Sequence, residues 1–380
     1  MAQKLRSFPA AKTPAPSRRT PEGRIVLDVT TLAHHTGRTT GISRVESELA
    51  QHFTKVSDDV QFVFWQDSIR RFLEMPKKFV RFGAAFRYRS RFDGLTDTPA
   101  VQLDPGSRIV MGGSAWMQNE RYIRGLEDFK LRNDATLFSI VYDLVPLKFP
   151  HWFQPEYSPV FQRNFERLLQ ISDGFFTDSK SCASDLKDIG GMSRIDLPEP
   201  FVLRLADPVF ASKDRERPGD KEGPVAELSS KRFILAVGAM HARKNYEMLY
   251  RVWSRFADDR AHLDLHLVIV GGVAWNGQAL SDMIARDPRV ASRIHVLSDI
   301  DDSVLGQLYE QCLFTVFPSH YEGWGLPVAE SLVAGKLCLA TNSSSVPEIA
   351  PELVEHIDPE DFATWQSQDW FLRQQRGRPE

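Results

Sequence analysis

Short apolar segments alternate with longer amphipathic segments along the first half of this chain. The apolar segments have the length of β-strands and lie at Arg24–Val29, Val60–Trp65, Arg108–Gly112, Thr136–Tyr142 and Gly174–Asp178. The segments with helical spacing of apolar residues lie at Ser43–Lys55, Glu120–Arg132, Glu156–Gln170 and Lys180–Ile189. This alternation predicts a mostly parallel sheet with helices on both faces.

The alternation restarts after a break in composition. Residues 211–231 are charged and contain Pro-Gly and Gly-Pro steps, so we predict an interdomain linker there. Strands are then predicted at Phe233–Val237, Leu265–Val270, Ile294–Leu297, Leu313–Phe317 and Leu337–Thr341, and helices at Lys244–Phe256, Gln278–Arg286, Asp302–Cys312 and Pro327–Ala334. The predicted fold is α/β, with two Rossmann-like domains, 24–210 and 232–358, facing one another across a ligand-binding cleft.

The two ends of the chain differ from these domains. Residues 1–23 are rich in Pro, Ala, Ser, Lys and Arg and are predicted to be disordered, and residues 359–380 form a short polar tail. Neither a run of 18 apolar residues nor a secretory signal is present, so we expect a cytoplasmic protein or one held peripherally on the inner face of the plasma membrane. The net charge of -3 argues against a nucleic-acid partner. The scattered Cys182, Cys312 and Cys338 indicate reduced thiols.

Residues 317–336 carry the most specific chemistry in the sequence. Glu322 lies in a loop with Gly323 and Gly325, and Glu330 is predicted in the first turn of a helix that opens at Pro327. A carboxylate can accept hydrogen bonds from two adjacent sugar hydroxyls, and a helix start offers free N–H groups to phosphate. The segment is therefore compatible with a polyhydroxylated, phosphorylated ligand. From the residues alone, an ordinary tight turn and helix start explain it equally well.

A second motif, AVGAMHARKN, lies where a strand passes into a helix in the second domain. Arg243 and Lys244 stand at the predicted helix start, where their charges would hold an anion such as a diphosphate. The alternative is a pair of solvated cations.

Both motifs resemble signatures of the group 1 (family 4) retaining glycosyltransferases of GT-B fold, and the chain looks mannosyltransferase-like. The pattern E-G-x-G-L-P-x-x-E is matched by Glu322, Gly323, Gly325, Leu326, Pro327 and Glu330, and V-G-x-x-x-x-R-K-N is matched by the stretch ending in Arg243, Lys244 and Asn245. Weaker resemblances follow in the family's order, including TGISRV at Gly41, YDLVPLKFP at Asp143 and TDSKSCASDL at Ser179.

The resemblance implies an enzyme that transfers a hexose from a nucleotide-diphosphate sugar, for which GDP-mannose is the candidate. The acceptor would be a glycan or a lipid-linked glycan in the synthesis of a cell-surface polysaccharide such as lipopolysaccharide. Transfer would retain the anomeric configuration and need neither a metal nor a cofactor. The oligomeric state is left open.

The resemblance also implies that the N-terminal domain, 24–210, binds the acceptor, that the C-terminal domain, 232–358, binds the nucleotide-sugar donor, and that each site residue has a role. Arg243 and Lys244 would stabilise the departing diphosphate, Glu330 would hold the ribose and Glu322 would orient the donor-sugar hydroxyls. The loop at Gly41 would face the diphosphate, and the loop at Asp143 would approach the sugar or the acceptor. Donor binding would be completed by Gly323, Trp324, Gly325 and Leu326. Related enzymes often carry His beside that Asp, where this chain has Tyr142.

Two other functions stay open at this point. The chain ends soon after LVEHIDPED, where family members usually continue through further helices, so a catalytically inactive relative that binds a nucleotide or a partner is one alternative. The other is a nucleotide-sugar epimerase, which the carboxylate pattern fits less well.

Three further signals receive plainer interpretations. Asp299-Ile300-Asp301 is predicted to be a helix cap or surface charge, and His34-His35 lacks further ligands at metal-binding spacing. Residues 68–92 contain eight Arg or Lys and six Phe or Tyr against one Glu. This basic segment could contact anionic lipid headgroups or a lipid-diphosphate acceptor, or its aromatic residues could pack on the domain.

Overall fold

The computed structural model describes residues 23–35, 41–81, 89–92, 100–117, 119–205, 224–257 and 264–367. The segment 1–22, which holds nearly all of the predicted disordered terminus, and residues 206–223 of the linker region lie outside these ranges. The described residues form two α/β domains, each built on one sheet.

The N-terminal sheet has seven strands in the order β3-β2-β1-β4-β5-β6-β7. They are β1 Ile25–Asp28, β2 Val60–Gln66, β3 Arg71–Glu74, β4 Arg108–Met111, β5 Thr136–Val141, β6 Gly174–Thr177 and β7 Phe201–Val202. All neighbours in this sheet pair in parallel except β3, which is antiparallel to β2. Strand β3 was not predicted, because its four residues lie inside the basic segment 68–92 and are too few to show a period.

Helices cover both faces of this sheet. They are α1 Thr30–His34, α2 Gly41–Val56, α3 Lys77–Arg81, α4 Glu120–Arg132, α5 Val145–Lys148, α6 Tyr157–Ile171 and α7 Lys180–Met192, with 3-10 turns at Ser90–Phe92, Ala115–Met117 and Pro150–Trp152. Successive residues of a strand point to opposite faces. Val26 accordingly packs in the cluster that holds Leu126 of α4, whereas Leu27 packs in the cluster that holds Ala50 of α2.

The C-terminal sheet has six parallel strands in the order β10-β9-β8-β11-β12-β13. They are β8 Arg232–Val237, β9 Leu265–Val270, β10 Ile294–Leu297, β11 Thr315–Phe317, β12 Cys338–Thr341 and β13 Glu355–Ile357. The helices are α8 Pro224–Leu228, α9 Tyr246–Phe256, α10 Gln278–Arg286, α11 Asp302–Gln311, α12 Leu326–Val333 and α13 Phe362–Gln366, with 3-10 turns at Ala242–Lys244 and Val346–Glu348.

Four local predictions need correction. The predicted helix Lys244–Phe256 is split, because Asn245 adopts the left-handed conformation (φ 54°) between the 3-10 turn and α9. Glu330 lies in the second turn of α12, which begins at Leu326, and not in the first. Helix α8 lies inside the predicted linker. Helix α13 lies inside the predicted polar tail, where the Trp365 side chain is buried in the core.

The carboxyl edges of the two sheets meet. The loop after β11 touches the loops after β5 and β6: a Cβ on Gly323 would lie 2.0 Å from the Tyr142 carbonyl oxygen, and Ser179 Oγ donates to the Gly323 carbonyl at 2.7 Å. Ligands of open α/β sheets bind at this edge, where the strand order reverses. In the C-terminal sheet the order reverses between β8 and β11, so a ligand site is expected at the loops after these two strands.

Two other properties complete the fold. The predicted reduced state of the cysteines is confirmed, since Cys182, Cys312 and Cys338 are buried and free. Within the described ranges, no helix combines the length and the apolar composition needed to cross a bilayer.

Candidate functional site

The loops after β8 and β11 bring three charged side chains together. Lys244 Nζ lies 2.6 Å from Glu322 Oε1, and the Arg243 guanidinium pairs with Glu322 Oε2. Arg243 also donates to the Tyr321 carbonyl oxygen at 3.2 Å. The two sequence motifs, about 80 residues apart in the chain, are therefore parts of one site at the point where the strand order reverses.

Burial and charge set the electrostatics of this cluster. Glu322 is 5% exposed, and burial opposes its ionisation, but Arg243 and Lys244 lower its pKa to about 2. Burial also lowers the pKa of Lys244, although the attraction of Glu322 opposes this shift. Since one carboxylate pairs with two cations, these three side chains keep a positive charge that suits a phosphate group, and Asp143 is the further carboxyl group that interacts with them.

His241 shapes the turn that presents the two cations. Its Nδ1 accepts a hydrogen bond from the Arg243 backbone N–H at 3.3 Å. Burial, together with the charges of Arg243 and Lys244, lowers the pKa of His241 to about 4. The ring is therefore neutral near pH 7, as an accepting nitrogen requires.

The loop that carries Glu322 depends on its glycines. Gly325 has φ 124°, a conformation that residues with a side chain rarely adopt, and Gly323 faces the backbone of the other domain. Two serines hold the same loop: Ser344 Oγ accepts from the Glu322 N–H at 2.9 Å, and Ser345 Oγ donates to the Glu322 carbonyl at 3.0 Å. These serines were not predicted as part of the site, although the run of three serines at 343–345 is a turn signal in the sequence.

Both oxygens of Glu330 already have partners. Tyr309 donates its hydroxyl to Oε2 at 2.8 Å, and Arg44 of the N-terminal domain pairs with Oε1 at 2.7 Å. Burial raises the pKa of Glu330, and hydrogen bonding to Tyr309 and the charge of Arg44 oppose this rise. Arg44 belongs to the TGISRV motif but was not singled out from the sequence.

The other residues predicted to bind the donor lie around these contacts. Gly41 is the first residue of α2, and a Cβ there would lie 3.6 Å from Leu326 Cδ1, so this helix start adjoins α12. Trp324 is partly buried and packs against the cluster that contains Phe317 and Val328. The predicted donor residues therefore lie on adjoining segments at one interdomain edge.

Asp143 and Tyr142 follow β5 and have different surroundings. The Tyr142 phenol is buried and donates to the Gly112 carbonyl at 2.6 Å. Asp143 is half-buried; burial raises its pKa, and the charge of Arg243 opposes the rise. Asp143 is thus close enough to the charged cluster to interact with it, whereas the side chain of Tyr142 supports the sheet. The catalytic role of Asp143 stays a prediction.

Polar contacts between the domains surround the charged cluster. The Tyr321 hydroxyl donates to Asp185 Oδ2 at 2.5 Å and lies 2.7 Å from Lys148 Nζ, which also pairs with Asp185. The Glu348 carboxylate accepts the backbone N–H groups of Lys180 and Ser181 at 2.9 and 2.8 Å, so it caps α7 from the other domain.

Aromatic side chains lie beside these polar contacts. Trp152 stacks on His320 with ring centroids 5.7 Å apart, and Phe149 lies 5.2 Å from Tyr321. Phe153 lies 5.1 Å from His241. The segment after Asp143 therefore packs against both loops that carry the charged cluster.

The structure shows the surroundings of the Asp299–Asp301 and His34–His35 segments. Asp301 accepts from the Val304 N–H at 2.9 Å, which confirms it as the cap of α11. His34 Nε2 lies 2.8 Å from the Trp65 carbonyl oxygen. In the described part of the chain, no three His, Cys, Asp or Glu side chains form a group that could hold a metal ion.

Comparison with known proteins finds a match for the C-terminal part of the chain. Residues 221–366 match the family model described as "Glycosyl transferases group 1". The serotype-specific mannosyltransferase WbdA of Escherichia coli is 22% identical over 325 residues, covering 81% of this chain and 36% of that protein. The O-antigen chain mannosyltransferase B of E. coli is 28% identical over 135 residues, covering 36% of this chain and 35% of that protein. The chain thus spans about a third of the length of these curated relatives.

Solved structures support the architecture over nearly the whole chain. Anabaena Alr3699/HepE in complex with UDP-glucose has a TM-score of 0.59 at 12% identity and covers 93% of this chain and 91% of its own. The sucrose-phosphate synthase of Thermosynechococcus elongatus has a TM-score of 0.59 at 14% identity, covering 93% and 90%. These likenesses confirm the predicted GT-B fold.

Proposed function

We propose that this chain, whose residues 221–366 form a group 1 glycosyltransferase domain within a GT-B fold, is a retaining, metal-independent hexosyltransferase. It would move a hexose from a nucleotide-diphosphate sugar to a glycan or lipid-linked acceptor in the synthesis of a cell-surface polysaccharide. The observation that carries the proposal is the buried cluster of Arg243, Lys244 and Glu322 at the point where the C-terminal sheet reverses its strand order.

The cluster suits the departure of a diphosphate. The bond between the anomeric carbon and the diphosphate oxygen breaks, and the charge that develops on this oxygen is met by Arg243 and Lys244. Since Glu322 fixes both cations before the reaction, little reorganisation is needed when that charge appears. The acceptor oxygen then bonds to the anomeric carbon on the face that the diphosphate leaves, and the departing phosphate takes the acceptor's proton.

Glu322 and Glu330 would bind hydroxyl groups of the donor only by sharing or exchanging the partners that they have in this structure. An ionised carboxylate offers about four acceptor positions, two on each oxygen. The partners described above already engage each oxygen of these two residues, so a hydroxyl would use a second position or replace a partner. Glu322 would orient donor-sugar hydroxyls beside the cations. Glu330 would hold the ribose once the diol competes with Arg44 for Oε1.

The relatives indicate which donors to test first. Two of the relatives reported above are described as mannosyltransferases of O-antigen or serotype-specific synthesis, which makes GDP-mannose the first donor to test. The HepE structure contains UDP-glucose, so UDP-sugars are the second class. These descriptions favour a transferase over the silent binding protein and the epimerase that the sequence left open.

Contact with a membrane surface through residues 68–92 is part of the proposal. Phe72 is 3% exposed, and Phe79 and Phe92 pack against the core, so the described aromatic residues of this segment support the fold. Its basic residues would then meet anionic headgroups by charge alone. Flotation with anionic vesicles, and none with neutral vesicles, is the expected result; equal recovery without vesicles would contradict this contact.

The role of the charged cluster is tested by replacing one cation. Lys244→Ala is expected to lower the release of nucleoside diphosphate from the preferred donor by on the order of 100-fold or more, because a stabiliser of developing charge is lost. Lys187→Ala is the matched control, since this lysine pairs with Glu199 on the exposed surface of α7. Unchanged release by a folded Lys244→Ala protein would contradict the assignment.

A further inference from the structure

A cavity of about 710 Å³ lies in the N-terminal domain, away from the charged cluster. Its walls come from segments that follow the carboxyl ends of strands or begin helices. The lining residues are Asp67, Ser114, Ala115, Met117, Asn119, Glu120, Arg121 and Tyr157. Asp67 follows β2 and Ser114 follows β4, so the cavity lies at the carboxyl edge of the sheet, which is the edge that faces the other domain.

The cavity is lined for a polar ligand. Six of its eight lining residues carry charged or polar side chains, which disfavours a lipid tail or another apolar ligand. Its volume is within the range of about 300–1,000 Å³ that is usual for small-molecule sites. Met117 and the ring of Tyr157 add apolar surface against which the C–H face of a sugar could pack.

Asp67 is held in a fixed orientation at this cavity. Its Oδ1 accepts from Trp65 Nε1 at 3.1 Å and from Asn119 Nδ2 at 3.4 Å, and its Oδ2 lies 3.4 Å from Arg121 Nη1. Burial opposes ionisation, but the hydrogen bonds from Trp65 and Asn119 and the charge of Arg121 lower the pKa of Asp67 on balance. The side chain is 39% exposed, so this oriented carboxylate keeps room for further donors.

Ring contacts connect the cavity with the candidate donor site. Tyr157 stacks on Phe153 at 5.2 Å, and Phe153 lies 5.1 Å from His241, which caps the turn of Arg243 and Lys244. A ligand in the cavity would therefore be separated from the diphosphate-binding turn by two ring contacts.

From these observations we infer that the cavity binds a sugar unit of the acceptor glycan, with Asp67 accepting hydrogen bonds from two adjacent hydroxyls and Arg121 donating to a third oxygen. This inference rests on the proposed function, since an acceptor is needed only if the chain transfers a sugar. The resemblance already implies an acceptor in the N-terminal domain; the inference narrows its position to the end of the sheet that holds β2 and the start of α4, away from the carboxylates of the donor site.

Saturation-transfer NMR on the full chain tests the inference. The probes are the methyl α-glycosides of mannose, glucose, galactose and N-acetylglucosamine, each with and without GDP or UDP. At least one glycoside is expected to give a saturation-transfer signal, and Asp67→Asn should weaken its binding by about tenfold, since hydrogen bonds to a charged acceptor are lost. Arg132→Gln is the control, because Arg132 lies on α4, the helix that carries Arg121, with 78% of its side chain exposed, and does not line the cavity.

The outcomes separate the inference from the proposed function. The sugar site is overturned if no glycoside gives a saturation-transfer signal, or if the signals with the natural protein and with a folded Asp67→Asn variant are equal. Either result counts even if a nucleotide binds. Loss of the glycoside's saturation-transfer signal in Asp67→Asn but not in Arg132→Gln supports the sugar site. If no nucleotide binds in that case, the proposed transferase fails; the cavity then binds a sugar, but its role as an acceptor site is overturned.

Discussion

Gly323 lies where the backbones of the two domains touch. Its neighbour Glu322 holds both cations of the candidate site, and a Cβ on Gly323 would lie 2.0 Å from the Tyr142 carbonyl oxygen. A side chain here cannot be relieved by a rotamer change, because the opposing atom belongs to the backbone. The position of the Glu322 carboxylate therefore depends on Gly323 having no Cβ.

Gly323→Ala is expected to displace the loop and to lower donor turnover by on the order of 100-fold, since small errors in the placement of catalytic groups have effects of this size. Gly306→Ala in α11 is the control, because a Cβ there meets nothing within 4 Å. Steady-state kinetics of both variants provide the measurement. Turnover of Gly323→Ala equal to that of the control would show that the contact with Tyr142 does not position Glu322.

At the scale of secondary-structure elements, α7 is completed by a residue of the other domain. Ser179 caps its own helix by accepting from the Cys182 N–H at 3.0 Å. Glu348 accepts from the first two N–H groups of the helix, those of Lys180 and Ser181. A carboxylate at a helix start also interacts favourably with the helix dipole. This cap therefore joins the stability of α7 to the relative position of the domains.

Glu348→Ala is expected to lower the free energy of unfolding by about 1 kcal/mol, the usual effect of losing a helix cap. Glu352→Ala is the matched control, since Glu352 is exposed and lies four residues further on. Denaturant unfolding followed by circular dichroism measures both. Equal midpoints for the two variants would mean that water replaces Glu348 without cost.

The sequence predicted elements where a period was long enough to count. The strands Leu265–Val270 and Ile294–Leu297 and the helices Glu120–Arg132 and Gln278–Arg286 are confirmed with their predicted bounds. The split at Asn245 was not predictable from apolar spacing, because it depends on one left-handed residue that donates hydrogen bonds to Pro318 and Pro359 carbonyls. Such tertiary contacts override local preference.

The candidate site could be predicted only in part, because a sequence shows compact motifs but not contacts between distant residues. Its charged residues lie in two compact motifs, whereas Arg44 and Glu330 are 286 residues apart and only the fold brings them together. Ser344, Asp185 and Tyr321 likewise lack a spacing that marks them as partners of the site. Residue types and loops can thus be predicted from sequence, while contacts between domains require the structure.

At the scale of the whole molecule, the two domains meet through contacts that involve the predicted donor site. Arg44 pairs with Glu330, Ser179 binds the Gly323 carbonyl, and Lys148 and Asp185 hold Tyr321 beside Glu322. A donor that binds Glu330 must therefore compete with a contact between the domains. We expect donor binding and the relative position of the domains to be coupled.

Calorimetric titration with UDP, GDP, dTDP and ADP tests the central claim most directly, with the natural protein compared with Glu330→Ala. One nucleotide is expected to bind, and Glu330→Ala should lose most of that affinity, because the ribose diol loses its charged acceptor. This result would establish the donor site and identify its base. Absence of binding by all four nucleotides, or equal binding by a folded Glu330→Ala protein, would contradict the account of the site.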